Sequence, residues 1–215
     1  MHRPILITGI GTDIGKTLVS AIVTEALHAD YWKPVQAGFT DGTDAQTVAS
    51  LISNADTLIH KEAYCLAMPA SPHIAAAKEG IEIELSVIQK QCTDILGAIG
   101  EKQLIIEGAG GLLVPLNNKE TVADLAKVLH ARVILVSRNY LGSINHSRLT
   151  AAYCKQVGID VAGWIFSDQY LDYEQEIVEW TGYPSLGTIP YLEEKNPATI
   201  RYYADLLKNT LASVL

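Results

Sequence analysis

The chain has 215 residues, 16 Lys+Arg against 24 Asp+Glu, a formal net charge of −8 and a hydrophobic share of 48%. That share suffices for a buried core and excludes a largely disordered chain, while the acidic balance argues against a nucleic-acid binder, which needs a basic face for phosphates. The length is that of one domain, and no run approaches the ~18 apolar residues of a membrane helix.

Met1-His2-Arg3-Pro4 shows no cleavable signal pattern and runs into Ile5-Leu6-Ile7, a buried strand ending at Gly9. A helix follows from Lys16 to about His28, with Leu18, Ile22 and Ala26 on one face. Tyr31-Trp32-Lys33 reads as a short strand stopped by Pro34, residues 38–42 as a loop, and Asp44 to Leu51 as a helix. The two prolines of Met68-Pro69-Ala70-Ser71-Pro72-His73 predict an irregular stretch. A helix is expected from Ser86 to Leu96, then a buried strand Leu104-Ile105-Ile106 ending at Glu107. Thr121 to Leu129 is helical, Val133 to Val136 a strand, Ser143 to Val157 a helix and Val161 to Phe166 a strand. Glu176 to Trp180 is helical and Leu186 to Ile189 a last strand. Ile200, Tyr203, Ala204, Leu207 and Leu211 mark a final helix.

Strands that are apolar throughout imply burial on both faces, hence a mostly parallel sheet covered by helices. Ligands of such sheets bind at the carboxyl ends of the strands, here just after Ile7, Lys33, Ile106, Val136 and Phe166. Three cysteines, Cys65, Cys92 and Cys154, lack any CxxC spacing. They read as reduced, buried thiols in a cytoplasm and as neither nucleophiles nor metal ligands.

The sharpest motif is Gly9-Ile10-Gly11-Thr12-Asp13-Ile14-Gly15-Lys16-Thr17, between a strand and a helix, where a phosphate loop belongs. It departs from GxxxxGK[ST] in having Ile10 where the pattern wants glycine. The loop N–H groups would cradle phosphates, Lys16 would reach the β- and γ-phosphates, and the Thr17 hydroxyl would ligate Mg²⁺. Glu107, at the end of a buried strand, and Asp44, at a helix start, are the carboxylates placed to complete a Mg²⁺ site. Lys33 is aimed over the carboxyl edge of the sheet. Gly142 to His146 is a glycine turn into a helix N-terminus, a potential anion site. His73 and His146 read as structural histidines.

Together GIGTDIGKT, Lys33-Pro34-Val35, Asp44, Pro69 to His73, Glu107 to Gly111, Leu141 to His146, Ala162-Gly163-Trp164 and Gly187 to Pro190 resemble the dethiobiotin synthetases, in the order that family shows. The resemblance implies a P-loop NTPase-like α/β domain over residues 1–215. It implies ATP-dependent carboxylation and ring closure of 7,8-diaminopelargonate with CO₂ or bicarbonate, through a carbamate and a carbamic–phosphoric anhydride, to dethiobiotin, ADP and phosphate. Carried over by motif, the catalytic residues are Lys33, Lys16 and Thr12, and the Mg²⁺ ligands are Thr17, Asp44 and Glu107. The nucleotide contacts are Asp13, Ile14, Gly15, Lys16, Thr17, Asp44, Glu107, Gly108, Ala109, Gly110, Ser167, Asp168, Pro190, Tyr191 and Leu192. The substrate contacts are Lys33, Ala37 and Ser71, with Gly142, Ser143, Ile144 and Asn145 supplied by the other subunit of a homodimer to the substrate carboxylate. Asp13 stands where many members carry Glu, Ala37 where Ser or Thr is frequent, and Ser167 where some have an adenine-reading Asn. A rival resemblance is to ParA/MinD-type regulatory ATPases. Those carry an extra lysine early in the loop, at the position held here by Gly11, so Lys33 and the missing lysine favour the ligase.

Overall fold

A computed structural model of the chain describes residues 3–40, 42–168 and 170–215. The first two residues of the segment read for a signal, and Asp41 of the 38–42 loop, lie outside them. Seven strands form one sheet: β1 (Ile5–Gly9), β2 (Asp30–Trp32), β4 (Ile59–His60), β6 (Leu104–Glu107), β7 (Arg132–Arg138), β8 (Val161–Ser167) and β9 (Ser185–Ile189). Their order is β4-β2-β6-β1-β7-β8-β9, and every pairing is parallel. A separate parallel pair joins β3 (Val35–Ala37) to β5 (Tyr64–Leu66).

Alternation along each strand divides the core into two layers. Leu6, Trp32, Ile106, Leu135 and Trp164 face one way. They pack on α3 (Pro72–Lys78), α4 (Leu85–Ile99), α5 (Val122–Val128), α6 (Ser143–Val157) and α7 (Glu174–Thr181). Ile5, Ile7, Tyr31, Ile105 and Val136 face the other way, onto α1 (Lys16–Leu27), α2 (Asp44–Leu51) and α8 (Pro197–Val214). The stripe Ile200, Ala204, Leu207 and Leu211 closes α8 onto this second layer, each large side chain contributing about 1.5–3 kcal/mol by leaving water. Glu25, buried on α1, accepts from the backbone N–H groups of Ser53 and Asn54 and so ties the end of α2 to α1.

The expected irregular stretch ends sooner than its prolines suggest. Pro72 occupies the first helical position of α3, where its fixed φ suits the helix and its missing N–H would be unpaired anyway. Cys65 is exposed on β5, contrary to the expectation of three buried thiols. Burial raises the other two, Cys92 to about 11 and Cys154 to about 12, which keeps them protonated and unreactive. His146 has a partner, the Tyr140 hydroxyl at 2.7 Å from Nδ1. Among the described residues no helix is long and apolar enough to cross a membrane.

Candidate active site

Strand order makes the site. β6 lies between β1 and β2, with Glu107 in register with Ile7, and Ile106 in register with Trp32. The carboxyl ends of all three strands therefore deliver neighbouring groups: the phosphate loop after β1, Lys33 after β2 and Glu107 closing β6. Within the loop Asp13 and Gly15 take left-handed backbone conformations, with φ of 56° and 92°. The φ of residue 15 calls for glycine, and a Cβ there would also stand 2.7 Å from Ser167 Oγ, so that the serine would have to turn aside. Ile14, between them, is buried in the α1 layer and anchors the loop.

Lys16 opens α1 and donates from Nζ to the Gly11 carbonyl at 2.7 Å. Burial brings it down to about 8, with Glu107 opposing that shift and the Lys33 charge adding to it. Lys33 is buried, and its Nζ stands 2.6 Å from Asp44 Oδ2 and 3.0 Å from Glu107 Oε1. Burial pulls this ammonium down, but Glu107 and then Asp44 outweigh it and hold Lys33 above an ordinary lysine. Burial alone would raise Asp44; the Lys33 charge and hydrogen bond reverse that and hold it below the usual carboxylate range. Asp44 is presented by the first turn of α2, which Thr43 caps through a reciprocal capping box with Gln46. Its backbone N–H donates to Gln36 Oε1 at 3.1 Å, fixing that turn against β3.

The Thr17 hydroxyl lies 2.9 Å from Asp44 Oδ1 and 2.9 Å from Glu107 Oε1. It has one hydrogen and cannot donate at full strength to both. Three hard oxygens thus converge on one point, a donor set that suits Mg²⁺. Among the described residues no group of three or more His, Cys, Asp or Glu side chains forms a metal cluster. A cation here would take the rest of its shell from water and phosphate, which is the habit of Mg²⁺ in phosphoryl-transfer sites.

These groups open into a cleft of about 920 Å³. Of the residues expected from sequence, Thr12, Asp13, Gly15, Lys16, Thr17, Lys33, Ala37, Asp44, Ser71, Glu107, Ala109 and Gly110 line it. So do Ser167, Asp168, Pro190, Tyr191 and Leu192. Ile14 and Gly108 do not, and Gly142, Ser143, Ile144 and Asn145 lie off the cleft altogether. In that turn Gly142 is left-handed, Ser143 is buried and Asn145 exposed.

Sequence reasoning missed several groups. Tyr31 is wholly buried and donates from its hydroxyl to Glu107 Oε2 at 2.8 Å. Burial, then the Glu107 charge, push it well above an ordinary tyrosine, so it remains a donor. Arg138 and Lys195 add cations to the cleft, and Arg138 Nη2 pairs with Asp168 Oδ2 at 3.4 Å. Their available signals were a tyrosine two residues before Lys33 and a cation at the carboxyl end of β7.

A phosphate loop on a parallel sheet, with a lysine and two carboxylates beside it, defines a P-loop nucleotide-binding α/β protein. The AAA domain family matches residues 3–199. The ATP-dependent dethiobiotin synthetase BioD of Christiangramia forsetii is 45% identical over 218 residues, covering 100% of both chains. That of Cytophaga hutchinsonii is 48% identical over 199 residues, 92% of this chain and 93% of the relative. This chain belongs to the dethiobiotin synthetase family. Its fold is also that of the cell-division protein MinD of Aquifex aeolicus, with TM-score 0.59 at 14% identity and 97% of each chain covered. MinD of Pyrococcus horikoshii, solved with Mg-ADP, gives TM-score 0.55 at 13% identity over 100% of this chain and 99% of that one.

Proposed function

We propose that this chain is an ATP-dependent cyclo-ligase that converts 7,8-diaminopelargonate and CO₂ to dethiobiotin, working as one P-loop domain over residues 1–215. The observation that carries the reading is the buried Lys33 ammonium, 2.6 and 3.0 Å from two carboxylates beside Thr17 and Lys16. A second fixed ammonium beside the phosphate loop is what a carbamate anion requires.

In the first step one substrate amine attacks CO₂; a C–N bond forms and the nitrogen loses a proton, leaving a carbamate anion. A carbamate oxygen then attacks the γ-phosphorus of ATP, the bond to the β,γ-bridging oxygen breaks, and ADP leaves. The second amine attacks the carbamoyl carbon of this mixed anhydride and expels phosphate; loss of its proton completes the ureido ring. The phosphoryl transfer needs in-line alignment and fixed positive charge more than acid–base chemistry. Lys33 and Lys16 supply that charge, and the 11–15 loop with exposed Thr12 receives the phosphates. Thr17, Asp44 and Glu107 would hold Mg²⁺, which when bound neutralises phosphate charge. Ala37 and Ser71 line the part of the cleft assigned to the diamine.

The 142–145 turn lies off this chain's cleft, so we assign it to the substrate carboxylate of a second subunit's site in a cytoplasmic homodimer. The test is dethiobiotin formation, followed by mass spectrometry, with phosphate release measured in parallel. Phosphate should appear in proportion to product and require both diamine and bicarbonate. ATP turnover that ignores both, with no dethiobiotin, would establish the regulatory ATPase reading instead.

A further inference from the structure

We propose that Tyr31 is a positioning residue that makes Glu107 a one-oxygen ligand and aims that oxygen at the Mg²⁺ site. The inference rests on the reading of Glu107 as a Mg²⁺ ligand and goes beyond it. Tyr31 is in register with Ile105, and Glu107 lies two residues further along the same face of β6. The phenol therefore reaches diagonally across the strand pair, a span that suits an aromatic side chain. Its hydroxyl holds Oε2 at 2.8 Å, while Oε1 is turned to Thr17 at 2.9 Å and Lys33 at 3.0 Å. The two oxygens are thus divided, one to the protein interior and one to the site.

Packing alone does not explain the hydroxyl. Tyr31 belongs to the apolar layer beneath α1, and phenylalanine would fill the same space. A buried hydroxyl must find a partner, and this one finds the carboxylate oxygen that faces away from the cleft. The last torsion of a glutamate is broad and roughly two-fold. With the phenol gone, Oε2 is a buried acceptor without its donor, and the carboxylate keeps its orientation only through the Thr17 and Lys33 contacts to Oε1, about which it can pivot. Mg²⁺ tolerates little departure from octahedral geometry, so a turning ligand weakens it. Partners of metal ligands typically account for 10–100-fold in metal affinity.

The test is Tyr31→Phe in the full chain, which deletes one oxygen and keeps the ring. ADP binding is measured by calorimetry in EDTA and across a Mg²⁺ series, with melting in EDTA as the check on folding. ADP affinity in EDTA should stay within about twofold of wild type, while the half-saturating Mg²⁺ concentration rises about 10–100-fold. A purely structural role would lower the melting temperature and leave that midpoint in place; a midpoint within twofold of wild type overturns the proposal. Glu107→Gln, titrated the same way, separates the two readings. If it too leaves the midpoint unmoved, Glu107 is not a ligand and the underlying assignment falls. If it moves the midpoint and Tyr31→Phe does not, only the role of Tyr31 falls. In the Glu107→Gln background Tyr31→Phe should add less than twofold, and a full further shift would mean that it acts elsewhere.

Discussion

Replacing Lys33 by methionine removes a charge and nearly preserves volume, so its consequences can be worked from the site. The lysine is 4% exposed and bridges Glu107, 0% exposed, to Asp44. Deleting one partner of a buried pair leaves an uncompensated charge and costs about 3–5 kcal/mol. Asp44 is partly open to water, which places the ligand-free protein near the lower figure. For a chain of this length about 3 kcal/mol corresponds to a fall of roughly 6–12 °C in melting temperature. Millimolar Mg²⁺ should recover much of that fall in the variant and do less for wild type, because a cation then replaces the lost ammonium and binding stabilises the folded state. The pH dependence follows from Asp44. Its folded pKa is depressed, so the stabilisation is present above the ordinary carboxylate range and lost as pH falls through the folded value. The gap between wild type and Lys33→Met should accordingly close in acid. Turnover should fall more than ~100-fold, the weight of one fixed charge on a developing anion, with Mg·ADP binding nearly retained. Equal melting temperatures in EDTA at neutral pH, or turnover within tenfold of wild type, would refute this account.

Lys16 gives a pH slope of the same sign at higher pH, but there the charged form is the one the fold disfavours. Its folded pKa of about 8 lies below the ordinary 10.5, so the unfolded chain binds more protons between those values and stability rises with pH there. Lys16→Met should flatten that rise and stabilise the ligand-free protein at pH 7 by on the order of 3 kcal/mol; parallel melting curves for variant and wild type over pH 7–10 would count against it. Gly15→Ala meets both a φ of 92° and the 2.7 Å approach to Ser167 Oγ. It should weaken Mg·ADP binding at least about tenfold by calorimetry, and unchanged affinity would remove the steric argument. The short Ser167 hydroxyl cannot span both polar groups on an adenine edge, and Asp168 is already engaged by Arg138 at 3.4 Å. One missing neutral hydrogen bond is worth roughly 2- to 13-fold. kcat/KM for ATP should therefore exceed that for CTP and GTP only modestly, and a preference above ~1,000-fold would mean that other groups read the base.

What the sequence discloses about the fold depends on how the evidence is spread along the chain. β1, β6, β7 and β8 are legible because strands of a parallel sheet are apolar on both faces and stand out as runs. α6 is legible at both ends because Gly142 and Gly158 flank it in left-handed conformation. The short strands at 59–60 and 64–66 are not, since two or three residues are too few to carry a period. α3 is hidden for a different reason: Pro72 is read as a breaker unless its place at the first helical position is known.

The site follows the same logic one level higher. Lys33, Asp44 and Glu107 are each visible as a charged residue at the end or start of an apolar element. That they meet is a consequence of β6 inserting between β1 and β2, an ordering no local pattern contains. Tyr31 and Gln36 are invisible for that reason. Tyr31 acts on Glu107, far along the chain, through a diagonal that exists only once the register is set, and Gln36 meets the start of α2 only through the fold of the loop between them. The turn at 142–145 is the converse case, a clear motif that its own chain leaves off the cleft. A helix N-terminus suits a carboxylate, and the cleft already brings Lys16 and Lys33 to its phosphate end. In the proposed reaction the far carboxylate of the substrate needs a positive partner away from that phosphate end. We propose that a second copy of this chain presents Gly142 to Asn145 to that carboxylate, which adds no charge to the phosphate end, where burial already pulls Lys16 down.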